Sequence, residues 1–202
     1  GSQDLYAADA RTLDVLRQGF GVAFQAGALW SSMTVGENVM LPMQIFTDQS
    51  AAQNEQEARF KLALVGLAGS FDATSLSPQE QQVVQLTVSV LNGCAYCRTV
   101  HAALGRKAAL DDATLQACIS LTPLPDARLN ALRDFTRQVV EERGWVSEAG
   151  VAAFLGAGHT RAQVFEVLLG VAMKTFTNYS NHLVGTSPNA SFVDGAQGLA
   201  WA

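Results

Sequence analysis

The sequence predicts an all-α protein, a bundle of helices with negligible strand content. Helix start signals, in which Ser, Thr or Asp precedes an apolar run, recur along the chain. Runs of Val, Ile and Thr with two-residue alternation, which would indicate strands, are scarce. The 202 residues are 49% hydrophobic and 15% charged, so the chain can bury a substantial core.

The first 70 residues carry helical patterns separated by Gly- and Ser-containing turns. We expect helices at about Ala8–Gln18, Val35–Phe46 and Ala51–Leu67. Their apolar side chains need burial. The segment 1–70 is therefore expected to supply extra N-terminal helices that pack on residues 71–202 or across a subunit boundary.

The clearest helix start is Ser77–Glu80, which supplies an N-cap serine, a proline at the first helical position and a capping-box glutamate. Asn92-Gly93 interrupts this helix, and the next helix begins at Cys94 and runs toward Lys107. Cys94 and Cys97 therefore lie at a helix N-terminus.

The second half of the chain contains start signals for four more helices. Their N-caps are Asp111, Asp126, Ser147 and Thr160. The first of them is short and ends near Ser120, and the second ends at Gly144. Thr160 and Gln163 form a second capping box, which begins a long helix that reaches about Gly185. After Pro188 we expect a small helix or coil.

Charge and hydropathy exclude two classes of partner. The net charge is −5, and no basic run offers a footprint for phosphate groups, so nucleic acid is not an expected partner. No apolar stretch approaches the roughly 20 residues that span a bilayer, and no cationic segment followed by an apolar run marks a signal peptide. We therefore expect no membrane insertion and a cytoplasmic location.

The cysteine pair is the feature of the sequence that points most directly to a chemical function. In a helix, Cys94 and Cys97 are three residues apart and His101 follows four residues later, so their side chains project from one face. A helix N-terminus and a neighbouring imidazole lower the pKa of a thiol from about 8.5 into the reactive range. A thiolate that attacks a peroxide becomes a sulfenic acid, with which a second thiol condenses to a disulfide. The spacing therefore predicts a redox-active dithiol that needs no metal and no cofactor.

Two alternatives to a redox role for the pair stay open. A Cys-x-x-Cys pair also arises by chance, because cysteine is often simply a buried apolar residue. The second alternative is a zinc site, since Cys94, Cys97 and His101 supply three ligands of a tetrahedral arrangement, with Cys118 or water as the fourth. Cys118 alone is expected to be a small core residue. A thioredoxin-type motif needs a βαβ context that this helical sequence does not provide.

The stretches Leu76–Val84 and Leu91–His101 resemble the AhpD-like alkylhydroperoxidase and carboxymuconolactone decarboxylase family. The resemblance covers about residues 74–190. It implies an all-helical fold, assembly into homo-oligomers (trimers or hexamers), and reduction of a hydroperoxide substrate with electrons from a protein or thiol reductant. By the same resemblance Cys97 is the peroxidatic thiol, Cys94 is the resolving thiol, and His101 belongs to the proton relay.

Two positions depart from the family pattern, in which a glutamate lies twelve residues before the first cysteine and a histidine lies between the cysteines. Gln82 and Tyr96 occupy these positions. Glutamine does not exchange a proton at neutral pH, so the relay uses another acid, runs through water or is weaker. Glu80 is the candidate for the missing acid of the relay and is a predicted catalytic residue. Its place in the capping box with Ser77 explains the presence of a glutamate there equally well.

Part of the N-terminal segment resembles a different family. Gly21–Trp30 and Met33–Met43 resemble the Q-loop region of ABC-transporter ATPases, with Gln25 in the place of the loop glutamine, and the likeness runs to about Gly69. ATP hydrolysis is not expected, because the sequence contains no Gly-x-x-x-x-Gly-Lys-Ser/Thr phosphate loop. The segment is either an ATPase fragment fused to a redox domain or a coincidence of helical apolar patterns.

The sequence therefore predicts an enzyme, a thiol-dependent peroxidase that reduces organic hydroperoxides or hydrogen peroxide through a Cys94/Cys97 dithiol-disulfide cycle. Gln82 and the ATPase-like segment favour an alternative, a non-catalytic binding or scaffold module associated with a transporter. A third function is decarboxylase or isomerase chemistry on a carboxylated lactone, which the family also hosts. That chemistry does not require a close pair of thiols.

Overall fold

The computed structural model describes residues 33–201. Within this range the chain forms nine helices and no strand, which confirms the all-α prediction. The expected helix at about Ala8–Gln18 and the Q-loop-like Gln25 lie outside the described residues.

The helices follow one another with short connections. They are α1 (Val35–Phe46), α2 (Ala51–Asp72), α3 (Pro78–Leu91), α4 (Ala95–Lys107), α5 (Asp112–Ile119), α6 (Ala127–Glu141), α7 (Glu148–Gly156), α8 (Arg161–Val184) and α9 (Ala190–Gly195).

The predicted capping chemistry is confirmed at the helices that matter for the site. At the start of α3, the hydroxyl of Ser77 accepts from the backbone N–H of Glu80, and the Glu80 carboxylate accepts from the backbone N–H of Ser77. Thr160 and Gln163 make the same pair of bonds at the start of α8, which ends at Gly185 in the left-handed conformation. These caps fix where the two longest helices of the site begin.

Two helix ends differ from the sequence prediction. Helix α2 continues past Leu67 to Asp72, because Gly69 is tolerated in the interior of a helix at a cost of only about 1 kcal/mol. Helix α6 ends at Glu141, before the predicted Gly144, because Arg143 and Gly144 have positive φ angles of 54° and 86°. These angles belong to the left-handed region, which a right-handed helix cannot include.

The chain divides into two compact units, with the boundary between Val65 and Gly66. In the first unit, α1 begins with a capping box between Thr34 and Glu37. The predicted domain organisation, residues 1–70 and 71–202, stays a prediction. Within residues 33–201, no helix combines the length and the apolar character that a membrane span requires.

Helix α3 is central to the second unit, where it packs against α4, α5, α6 and α8. Leu86 of α3, Leu132 of α6 and Val167 of α8 are fully buried in one core. Gly170 allows the close approach of Phe71, since a Cβ at this glycine would lie 2.5 Å from Cε2 of that ring. The core therefore fixes α8 against α3 and orients the side chains between them.

The far side of α4 is covered by the C-terminal helix α9. The Arg106 guanidinium donates to the carbonyl of Gly195 at 2.8 Å. The backbone N–H of Ala200 donates to the Gln116 side chain, whose amide donates in turn to the Ala200 carbonyl. Helix α4, which contains Cys97, therefore packs against α3 and against α9.

Candidate active site

The two cysteines lie at the turn that joins α3 to α4. Gly93 adopts a positive φ of 67°, and Cys94 follows as the N-cap residue of α4, with its backbone N–H bonded to the carbonyl of Ser89 at 3.0 Å. Glycine takes this left-handed conformation without the steric cost of a Cβ. The turn buries both thiols, with Cys94 1% and Cys97 2% exposed, and both are free thiols in this structure.

The surroundings of the two thiols differ. Burial raises the pKa of Cys94, and the nearby Cys97 thiol adds to this, while hydrogen bonds from the Cys97 backbone and the Asn178 side chain act in the opposite direction. The side-chain amide of Asn181 donates to Sγ of Cys97 at 3.2 Å. An N–H donor stabilises a sulfur that carries negative charge. Burial therefore favours a protonated Cys94, whereas the Asn181 amide offers Cys97 a donor that would stabilise negative charge on its sulfur.

His101 is buried behind Cys97 and is bonded to the residue that replaces the family glutamate. Its Nδ1 lies 2.9 Å from Oε1 of Gln82. Because an amide oxygen only accepts, Nδ1 carries the hydrogen and Nε2 keeps a free lone pair. Burial lowers the pKa of His101 well below its usual value, and the charge of Lys174 lowers it further. The imidazole is neutral at pH 7 and presents an acceptor.

The sequence prediction missed Lys174, which interacts electrostatically with both thiols and with His101. The lysine is only 6% exposed. Burial lowers its pKa, while the two thiols would raise it wherever they ionise. A buried ammonium is rare unless an anion faces it. Lys174 therefore belongs to the electrostatics of the thiol pair.

Asn178 and Asn181 were also missed, and they share one face of α8 with Lys174. Asn178 is fully buried; its amide donates to Oγ of Ser89 at 3.3 Å and its carbonyl accepts from Asn92 at 3.0 Å. The signal in the sequence is the spacing of four and three residues, which continues an apolar stripe with polar side chains. Such residues on a core-facing stripe indicate a buried polar site.

Glu80, the fourth predicted site residue, lies in a separate polar group. Its carboxylate accepts from Nε of Arg128 at 3.0 Å and lies 3.8 Å from Nδ1 of His159. Glu80 and Gln82 are two residues apart on α3, about 200° around the helix, and Gln82 faces His101. The structure thus brings together Cys94, Cys97 and His101 and directs Glu80 to another side of α3.

The remaining reactive residues of the sequence have structural surroundings. Cys118 is fully buried in the core, as predicted, and burial raises its pKa to about 12. His182 is exposed and its ring lies 6.2 Å from that of Tyr179. Across residues 33–201, His, Cys, Asp and Glu nowhere form a group of three or more that could hold a metal ion. The zinc arrangement considered from the spacing is therefore not formed by Cys94, Cys97 and His101.

A cavity of about 410 Å³ lies between α8 and the end of α6. Its walls include Leu168 and Val171, and its polar edge includes Asn92 and Thr175. The Asn92 amide bonds both to Asn178 and, at 3.4 Å, to the Thr175 hydroxyl. Asn92 therefore belongs both to this cavity and to the polar network behind Cys94.

Two curated transport proteins match the chain over part of their length. Over 66 residues the chain is 38% identical to the probable ribonucleotide transport ATP-binding protein mkl of Mycobacterium tuberculosis, covering 33% of this chain and 18% of that protein. Over 156 residues it is 33% identical to the methionine import ATP-binding protein MetN 2 of Paraburkholderia xenovorans, covering 70% and 39%. The chain spans well under half the length of these relatives. Both are ATP-binding transport proteins, which agrees with the predicted resemblance to transporter ATPases.

Three solved structures share the fold. An AhpD-core, uncharacterized peroxidase-related protein from Ralstonia eutropha JMP134 has a TM-score of 0.63 at 19% identity, covering 87% of this chain and 95% of that one. A peroxidase-related protein from Silicibacter sp. TM1040 has a TM-score of 0.60 at 20% identity, with coverages of 77% and 78%. The debrominase Bmp8, solved with 2,3,4-tribromopyrrole, has a TM-score of 0.58 at 14% identity, with coverages of 78% and 80%.

The family model of the carboxymuconolactone decarboxylase family matches residues 58–137, a range that includes Cys94, Cys97 and His101. The AhpD-like fold of the solved neighbours agrees with this match. The region that carries the cysteine pair therefore resembles the carboxymuconolactone decarboxylase family, and the solved neighbours share its helical fold.

Proposed function

We propose that the protein is a thiol-dependent peroxidase that reduces hydroperoxides through a dithiol-disulfide cycle of Cys94 and Cys97. The observation that carries this proposal is the convergence of two free, buried thiols with a neutral imidazole and an amide that donates to Cys97. A thiolate with a hydrogen-bond donor, next to a second thiol, is the arrangement that peroxide reduction requires.

The cycle has two steps that the turn geometry supports. The Cys97 thiolate attacks one peroxide oxygen, the O–O bond breaks, and an alcohol leaves after it takes up a proton, so that Cys97 becomes a sulfenic acid. The Cys94 sulfur then attacks the Cys97 sulfur, water leaves, and a disulfide forms. A protein or thiol reductant returns the disulfide to two thiols by exchange.

His101 and Glu80 take different parts in this proposal. His101 belongs to the proton relay through the free acceptor at Nε2, while Gln82 holds the ring in the required tautomer. Glu80 is given a structural role, because its carboxylate already accepts from the Ser77 backbone and from Arg128.

The cavity between α6 and α8 supports an organic hydroperoxide as the substrate. Its apolar wall, formed by residues such as Val139, Leu168 and Val171, suits a hydrocarbon chain. Its polar edge at Asn92 leads toward the network of Asn178 behind Cys94. Hydrogen peroxide would gain nothing from such a wall, so a preference for organic hydroperoxides is expected.

Stopped-flow consumption of cumene hydroperoxide and of hydrogen peroxide by the reduced protein tests the proposal. Cys97→Ser should abolish fast consumption, whereas Cys94→Ser should allow one turnover and then stop at the sulfenic acid. Cys118→Ala is the matched control, because this thiol is buried in the core. If the wild type and Cys97→Ser consume peroxide equally slowly, the peroxidase proposal is wrong and a scaffold or lactone-directed function is favoured instead.

A second candidate reaction uses the same thiols on a carbon–halogen bond. It is favoured by the shared fold with the debrominase Bmp8. The reduced protein should be offered 2,3,4-tribromopyrrole in parallel with the hydroperoxides. Bromide release that depends on Cys97 and exceeds peroxide consumption would replace the peroxidase proposal.

We also propose that the protein forms a homo-oligomer. Helix α8 exposes large apolar side chains, namely Phe165 at 71%, Tyr179 at 55% and Leu183 at 89%, and such a surface is typical of an interface. Light scattering of the purified protein should give a trimer or hexamer. A monomer over the whole accessible concentration range would contradict this proposal.

A further inference from the structure

Lys174 is the charged side chain that α8 directs at the cysteine turn. It is 6% exposed and lies one helical turn before Asn178, which bonds to Ser89, and two turns before Asn181, which bonds to Cys97. Its ammonium interacts electrostatically with both thiols and with His101. The peroxidase cycle as described gives this lysine no role.

A buried ammonium needs an anion close to it, because the cost of removing the charge from water is otherwise not offset. Lys174 interacts electrostatically with both thiols of the turn and with the neutral His101 of α4. Of these groups the thiols are the ones that can become anionic, and Cys97 is the one that accepts a hydrogen bond from the Asn181 amide.

We infer that Lys174 is the counter-ion of the Cys97 thiolate and the proton donor for the oxygen that leaves in each step of the cycle. The first half of this inference concerns the resting protein alone. The second half rests on the proposed peroxidase function.

The protons balance with Lys174 in this role. As the Cys97 thiolate breaks the O–O bond, the leaving alkoxide takes a proton from the Lys174 ammonium and departs as an alcohol. The neutral amine then takes the Cys94 proton, and the new thiolate attacks the Cys97 sulfur. The displaced hydroxide takes the same proton and leaves as water, so one disulfide, one alcohol and one water replace two thiols and one hydroperoxide.

The position of Lys174 suits proton donation for a second reason. Burial lowers its pKa, so the ammonium gives up its proton more readily than a lysine on the surface does. Gln82, which occupies the place of the family glutamate, holds His101 by an amide oxygen and has no proton to exchange near pH 7. Lys174 supplies from α8 the acid that α3 lacks.

The test measures the titration of the Cys97 thiolate by its ultraviolet absorbance in a Cys94→Ser background. Lys174→Met should raise the titration midpoint by about one pH unit or more, whereas Lys174→Arg keeps the charge and should leave it within about half a unit. Lys107→Met is the matched control, because Lys107 is exposed at the end of α4. Far-ultraviolet circular dichroism confirms that each variant is folded.

Single-turnover peroxide reduction at pH 7 then separates charge from proton donation. Arginine does not release its proton, so both Lys174→Arg and Lys174→Met should slow the step by at least about tenfold. The counter-ion role is overturned if Lys174→Met and Lys107→Met titrate alike, and the donor role is overturned if Lys174→Arg reacts at the wild-type rate. A titration shift in a protein that consumes no peroxide supports the ion pair and overturns the peroxidase function instead.

Discussion

The hydrogen bond from Asn181 to Cys97 makes a quantitative prediction about thiol reactivity. Asn181→Ala removes an N–H donor that lies 3.2 Å from Sγ. Hydrogen bonds to charged groups are worth about 1.5–3 kcal/mol, and the partial exposure of Asn181 places this bond at the lower end. Since about 1.4 kcal/mol corresponds to one pH unit, the substitution should raise the titration midpoint of the Cys97 thiolate by about one unit.

Two opposing effects then set the rate of alkylation. At a pH below both midpoints, the fraction of thiolate falls about tenfold for one unit. A thiolate of higher proton affinity is also more nucleophilic, by about threefold for one unit at a Brønsted coefficient of about 0.4–0.5. Asn181→Ala should therefore react about threefold more slowly than its parent at low pH and about threefold faster at high pH.

The assay is the rate of iodoacetamide alkylation against pH in a Cys94→Ser background, with circular dichroism to confirm folding. Asn189→Ala is the matched control, because Asn189 is exposed and its side chain makes no capping bond. The two pH profiles of parent and Asn181→Ala should cross. Profiles that coincide, or that differ by the same factor at every pH, would show that the amide does not stabilise the thiolate.

Three further predictions concern stability and the proton relay. Gly170→Ala places a Cβ 2.5 Å from the Phe71 ring and should lower the free energy of unfolding by about 1–3 kcal/mol, whereas Gly69→Ala, with open space around it, should raise it; equal melting temperatures would contradict the packing. Glu80→Gln should lower the free energy of unfolding by about 0.5–1 kcal/mol and keep the rate of peroxide reduction within about twofold of wild type. A folded variant that reduces peroxide about ten times more slowly would show that Glu80 takes part in the proton relay. The pKa of His101 is lowered by burial, so its contribution to stability is complete above about pH 6.5 and is lost as the pH falls below that value; urea unfolding at several pH values should show a smaller acid loss in His101→Asn than in the exposed control His182→Asn.

Helix boundaries were predictable because the signals that set them are local. Ser77, Asp111, Asp126, Ser147 and Thr160 each precede the helix that their side chains cap in the structure. The end of α2 was not predictable in this way. Gly69 is compatible with a turn or with a helix interior, and the structure, not the local sequence, decides that α2 continues to Asp72.

Half of the site could also be predicted, since Cys94, Cys97 and His101 lie within one short stretch at helical spacing. The other half comes from α8, where Asn181 is 84 residues from the cysteine that it contacts. Nothing in a local pattern records that α8 brings Asn181 to the start of α4. The choice between Glu80 and Gln82 could not be made from the sequence for a related reason. The two polar residues lie on different faces of α3, and the sequence alone does not show which face is directed at His101.

The exchange of a carboxylate for an amide at position 82 changes what the rest of the site must do. An amide fixes the His101 tautomer but leaves the imidazole without a negative partner, and burial together with the nearby Lys174 then keeps it neutral. A thiolate opposite a neutral histidine needs its compensating charge from another element. In the proposed site Lys174 meets that requirement from α8, so the pH dependence of thiol reactivity should follow the lysine and the thiols rather than a histidine and a carboxylate.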